Sequence, residues 1–139
     1  MKTSNILSKI AKLAALITMV CLFSTTEASA KYGAFAYSTG SGSFGAFGLA
    51  YNYSTSSSAA SAAVSYARSA NGGYLNGYKY VWWSNRGYCA GARGYNYDGS
   101  RVSVGYAYGW SSANSAVNYA YGKLGSNTYS LGYYYGYNN

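Results

Sequence analysis

The sequence predicts an α+β fold: a duplicated strand–strand–helix–strand unit forming a mostly antiparallel sheet, with two alanine-rich helices on one face. Two observations carry this expectation. The chain says nearly the same thing twice. Tyr32-Gly-Ala-Phe-Ala36 and Tyr88-Cys-Ala-Gly-Ala92 open two stretches that continue alike, through Leu49, Tyr51 and Tyr53 in one and Val104, Tyr106 and Tyr108 in the other. Each then enters a serine-led block, Ser57-Ser-Ala-Ala-Ser-Ala-Ala or Ser111-Ser-Ala-Asn-Ser-Ala-Val. The offset is about 55 residues, close to the range of duplicated supersecondary units. The second observation is a change of period, from alternation in the aromatic runs to helical spacing in the alanine blocks.

Residues 1–30 read as a secretory signal. Lys2, Lys9 and Lys12 precede an apolar run from Leu13 to Phe23, which is too short to span a bilayer, and Ala28-Ser29-Ala30 offers a cleavage site before Lys31. Residues 31–139 then form one domain of two repeats, about 31–86 and 87–139, in a secreted or periplasmic location. Tyr32 to Tyr37 is the first strand, Thr39 to Ser43 a turn, and Phe44 to Tyr53 the returning strand. Gly45 and Gly48 weaken that strand unless something packs close to its backbone.

Ser54 to Ser58 supplies helix-capping oxygens. Ala59, Ala63, Tyr66, Ala67 and Ala70 behind them share one helical face, and Asn71-Gly72-Gly73 ends the helix. Tyr78, Tyr80 and Trp82 alternate with Lys79, Val81 and Trp83 in a third strand. Tyr88 to Gly94 is the fourth, followed by a turn at Asn96 to Gly99 and a fifth strand from Arg101 to Trp110. Ser111 and Ser112 cap a second helix with the face Ala113, Val117, Ala120, Tyr121 and Leu124. Thr128 to Tyr137 is the last strand, with Tyr129, Leu131, Tyr133 and Tyr135 on one side. Alanine faces let helices approach a sheet closely but bury little area, so the large rings must fill the core.

Several of these stretches resemble a known family. Tyr32-Gly-Ala-Phe-Ala-Tyr-Ser38, the Ser57-to-Ala67 helix, Val81-Trp-Trp-Ser-Asn85 running into Cys89-Ala90-Gly91-Ala92, and the second Ser-Ser-Ala-x-x-Ala-Val block look like "domain of unknown function 4189", small exported bacterial proteins. The resemblance covers nearly all of residues 31–139 and implies export and a small duplicated domain, with no settled activity. Members commonly carry paired cysteines near the helix ends and the following strands. Here Ser69-Ala70-Asn71, Tyr78-Lys79-Tyr80 and Gly122-Lys123-Leu124 stand in those regions, so the implied disulfide framework is missing and Cys89 alone matches. Cys89 is either a buried inert thiol, which its Gly/Ala-rich strand favours, or half of a bridge between chains.

The chemistry of residues 31–139 excludes much. They contain no His and no Glu, and Asp98, their one acid, lies in a turn where Asp is at home. Paired-carboxylate, Ser-His-Asp and Cys-His catalysis are ruled out, as are His-based metal sites. No enzyme activity, cofactor or metal is expected. Gly40-Ser-Gly-Ser-Phe-Gly45 matches a dinucleotide pattern by accident, since a strand rather than a helix follows it. Lys31, Arg68, Lys79, Arg86, Arg93, Arg101 and Lys123 against Asp98 leave a net charge of +6, which favours anionic partners.

Rings at both parities of the strands cannot all be buried, and exposed rings flanked by cations make a binding surface. The candidate contact residues are Trp82, Trp83, Trp110 and Tyr80 with Lys79 and Arg86. The expected partner is an anionic envelope polymer (a polysaccharide or peptidoglycan) or an anionic lipid; nucleic acid is not expected because of export. Two alternatives remain open from the sequence: a self-associating Gly/Tyr-rich surface protein, forming a homo-oligomer through a poorly guarded edge strand, and a secreted cationic antagonist of other cells.

Overall fold

The computed structural model describes residues 29–40, 45–97 and 102–139. The expected leader, the turn after Thr39 and most of the turn after Asn96 lie outside the described residues. The elements follow in the expected order: β1 (Tyr32–Ser38), β2 (Phe47–Tyr53), α1 (Ser56–Ala70), β3 (Tyr78–Trp83), β4 (Gly87–Asn96), β5 (Val102–Trp110), α2 (Ala113–Gly122) and β6 (Thr128–Asn138). All the strand pairings are antiparallel, so the chain is α+β with a mostly antiparallel arrangement.

The strands make two sheets rather than one, in the orders β2-β1-β3 and β5-β4-β6. The first strand of each repeat is therefore central, and each sheet has its own helix. Alternation along the strands divides the core in three. Ala34, Ala36 and Ala50 turn toward Ala59 and Ala63 of α1, and Ala90, Ala92 and Ala107 turn toward Ala116, Ala120 and Leu124 at α2. The opposite faces meet each other through Phe35, Phe47, Leu49, Trp83 and Cys89. The result is four layers, helix–sheet–sheet–helix. The expectation of both helices on one face is thus corrected: each sheet has one face of small residues, which takes a helix, and one face of rings, which takes the other sheet.

The two repeats match locally. Thr55 and Ser112 cap the helices by accepting from the amides of Ser58 and Ser115 at 3.1 and 3.2 Å. A bulge separates Tyr32 from Ala34 and Tyr88 from Ala90 in the pairing with β2 and β5. On the partner strands Asn52 and Gly109 take positive φ, 66° and 74°, and the bulge turns the strand-end rings Tyr53 and Trp110 toward the helices. Asn138 is fully buried and joins the repeats: it donates to the carbonyls of Lys31 and Asn85 and accepts from the amide of Asn52, at 2.9–3.0 Å.

Three side-chain expectations are adjusted. The buried stripe of α1 is Ala59, Ala63, Val64 and Ala67, with Tyr66 half exposed. On α2 the expected face largely holds, with Ala120 and Leu124 buried and Val117 and Tyr121 packed against them, and Ala116 joins it as a buried residue the spacing did not include. Ala113 lies in the first turn, so from the caps Thr55 and Ser112 the matching residues of the helices stand 57 apart, and Ala59 corresponds to Ala116 rather than to Ala113. In β6 a register shift opposite Arg93 and Gly94 moves Tyr129 to the other face from Tyr133, and Tyr129 stacks near Tyr95 and Tyr97.

The close approach of helix to sheet is built on glycine. A methyl group at Gly48 would run into the carbonyl of Ala63, and one at Gly105 into that of Ala120. Gly48→Ala and Gly105→Ala are each expected to cost about 1–3 kcal/mol in urea unfolding, because the backbones must separate. Gly122→Ala, with open space around it and no positive φ, is expected to raise stability by about 0.4–1 kcal/mol. Equal effects at all three sites would contradict this packing.

Candidate functional site

Pairing fixes which way the rings of β3 point. Tyr78, Tyr80 and Trp82 lie opposite Ser38, Ala36 and Ala34, so they share the face that carries α1. The helix leans over β2 and β1 and touches β3 less. The rings are left half exposed along an edge strand, at 47, 54 and 50 %. Between them and α1 runs an open groove of about 520 Å³.

The helix wall of this groove is a stripe. Ser57, Ser61, Val64 and Arg68 follow one another at helical spacing, with Ala60 lining the groove beside them. Tyr32 packs edge-on against Trp82, with ring centroids 5.9 Å apart. The rings can stack on a flat apolar face, the serine hydroxyls can donate or accept, and the guanidinium can bind an oxyanion. Among the described residues there is no acidic side chain, so none neutralises Arg68 within this surface.

The structure brings together only Tyr80 and Trp82 of the six residues singled out from the sequence. Trp83 is 3 % exposed and lies between the sheets, over Gly33 and stacked on Tyr108 at 4.9 Å with planes 8° apart. It is therefore a core residue, not a contact residue: its parity puts it on the sheet-facing side of β3. Its indole Nε1 finds no hydrogen-bond partner among the described residues. Lys79 shares that parity and lies with Tyr37, Val81 and Tyr106. Arg86 donates to the hydroxyl of Tyr137 at 3.2 Å. Trp110 belongs to a separate cleft, packed on Tyr119, whose ring lies 4.8 Å beneath the Lys123 ammonium. The sequence reading missed Val64 and Arg68 as groove residues, although the 57–61–64–68 spacing beside the buried stripe was there to be read.

Cys89 is fully buried, desolvation pushes its thiol up to about 12, and its Sγ donates to the Gly136 carbonyl at 3.6 Å. Such a thiol is protonated and inert, and it is not available for a bridge between chains. Among the described residues no helix is long and apolar enough to cross a membrane. No protein-family model matches the chain, and no curated protein or solved structure is detectably similar to it.

Trp83→Ala is expected to lose about 3–5 kcal/mol of stability, the cost of emptying a buried aromatic site. Trp82→Ala should lose less than about 1 kcal/mol, since half of its ring is already in water. Comparable losses in chemical denaturation would contradict the assignment of the two indoles. Cys89 gives a pH signature. Between pH 9, the thiol's ordinary value, and about 12, the unfolded chain releases the proton while the folded chain keeps it. The contribution is complete below that window and is lost as pH rises through it. Wild type should therefore lose stability relative to Cys89→Ala from pH 9 upward; parallel curves would contradict the burial.

Proposed function

We propose that this protein is a non-enzymatic exported domain that binds an envelope polysaccharide, peptidoglycan included, in the groove between α1 and β3. The observation that carries the reading is the half-exposed ladder Tyr78, Tyr80 and Trp82 facing a serine-lined helix. Sugar rings have flat C–H faces that stack on aromatic rings and hydroxyl rims that hydrogen-bond, and this groove supplies both kinds of partner in parallel. The positive charge of residues 31–139 draws the domain to anionic polymers without defining the site. Kinship with the exported family of small duplicated domains, and processing before Lys31, belong to the same proposal.

A second reading, self-association, is favoured by β6. It is an edge strand from Thr128 to Asn138 with no charged residue, and Tyr133, Tyr134 and Tyr135 are exposed along it. It predicts a concentration-dependent oligomer by analytical ultracentrifugation, and a monomer at high concentration would exclude it.

The polysaccharide reading is checked by co-sedimentation of residues 31–139 with insoluble peptidoglycan and envelope polysaccharide at low and high salt. Binding should survive salt, because screening weakens charge contacts and leaves stacking intact. Trp82→Ala should weaken it about tenfold, in line with the ~1–3 kcal/mol a stacked ring contributes. Binding that salt abolishes, or that Trp82→Ala leaves unchanged, would contradict the proposal.

A further inference from the structure

The duplication allows the groove to be compared with its own copy. Ala36 and Ala34 pair with Tyr80 and Trp82, and their counterparts Ala92 and Ala90 pair with Tyr133 and Tyr135. The caps Thr55 and Ser112 set the helices in phase, so Ala59 and Ala63 match Ala116 and Ala120. By the same offset Val64 matches Tyr121, and Arg68 matches Gly125.

Here the copies part. Val64 is short and buried against the alanine cluster, and the space between it and the rings of β3 stays open. Tyr121 packs on the corresponding cluster and reaches across to Tyr133. The two rings meet edge-to-face, with centroids 5.7 Å apart and planes at 78°. A phenol of the protein thus stands against an edge-strand ring in the second repeat, where the first has the shorter Val64 and an open groove, and Tyr133 and Tyr135 keep about half of their surface in water. A phenol ring and a six-membered sugar ring have similar breadth.

We infer that Tyr121 stands where a ligand ring sits in the first repeat: the α1–β3 groove is a subsite for a hexopyranose bearing a carboxylate, and Val64 is the residue that keeps it open. This rests on the polysaccharide reading and adds its gate and its charge preference. The carboxylate follows from Arg68. It lines the groove where the second repeat has glycine, and no acidic side chain among the described residues competes for it. A guanidinium offers a planar fork matched to a carboxylate. Ser57 and Ser61 lie along the same wall, within the reach of sugar hydroxyls.

The probes are a galacturonic acid trimer and its methyl ester, the same sugar rings with and without charge, titrated into residues 31–139 by calorimetry. Wild type should bind the acid about threefold more tightly than the ester, the size of a partly exposed ion pair. Arg68→Gln should erase that preference, so that acid and ester bind alike. Val64→Tyr recreates a pairing the second repeat already accommodates, and it should weaken both probes at least about tenfold, the loss of a stacked ring. Ser61→Tyr blocks the groove from an exposed position and should do the same if Val64→Tyr does not fold. Tyr121→Val should raise the stoichiometry for the ester from one site toward two.

Folded blocking variants that bind like wild type overturn the gate. Equal affinity for acid and ester, or a preference that survives Arg68→Gln, overturns the carboxylate. If wild type sediments with envelope polysaccharide while the blocking variants do so equally, the polysaccharide reading stands and this inference falls. If wild type binds neither the probes nor the polysaccharides, both fall.

Discussion

The ring of Phe35 rests on the backbone of Gly91, and the rest of the structure depends on that contact. Phe35 is fully buried and stacks with Phe47 and Tyr106 at 5.2 and 5.1 Å. A side chain at Gly91 would collide with both phenylalanines. Phe35 and Gly91 are equivalent positions in the two repeats, each central in the first strand of its copy. Two identical faces could not close there, since a ring against a ring would hold the sheets apart and glycine against glycine would leave a void. The same trade recurs nearby: Trp83 lies over Gly33, while its counterpart Gly136 lies close under Tyr51. The repeats stay alike at their helix-facing alanines and diverge where they press on each other.

That division of labour leaves room for a binding surface. The rings that hold the sheets together occupy one parity of each strand, and the helices need only small residues on the other. Glycine at 48 and 105 draws each helix down over β2 or β5. The far edges, β3 and β6, are then only partly covered, and their helix-side rings remain in contact with water. An edge strand that presents exposed rings beside a polar helix wall is the kind of surface the proposed ligand binding would use. The copies differ at one matched helical position: Val64 borders the open groove of the first repeat, while Tyr121 packs edge-on against Tyr133 in the second.

Much of the fold was legible in the sequence because its signals are local. The serine-led caps, the Asn71-Gly72-Gly73 stop and the alternation from Tyr78 to Trp83 each depend on neighbouring residues alone. The warning at Gly48 was also local, and the helix backbone does pack there. The register of α2 against α1 was less legible than its face. Ala113, Ala116, Val117 and Ala120 all lie near one face, so spacing finds the face but not which alanine matches Ala59; the cap at Ser112 and the contact with Gly105 set that register. The split into two sheets depends on which distant strands pair, which local pattern does not carry. The site was half legible for the same reason. Alternation separated Trp82 from Trp83 but could not say which face was covered by the other sheet. Lys79, Arg86 and Trp110 were linked to the site by composition alone, and tertiary structure disperses them.

The most direct test of the account is the response of the three indole N–H resonances in a nitrogen–proton correlation spectrum as soluble peptidoglycan fragments are added to residues 31–139. Trp82 lines the α1–β3 groove, Trp83 lies between the sheets and Trp110 packs on Tyr119. The account predicts that the Trp82 indole shifts in a saturable manner, together with amides of Tyr78–Trp82 and Ser57–Arg68, while Trp83 and Trp110 hold still. Shifts centred on Trp110 and Lys123, shifts spread over every cationic surface, or no shift at saturating fragment would contradict it.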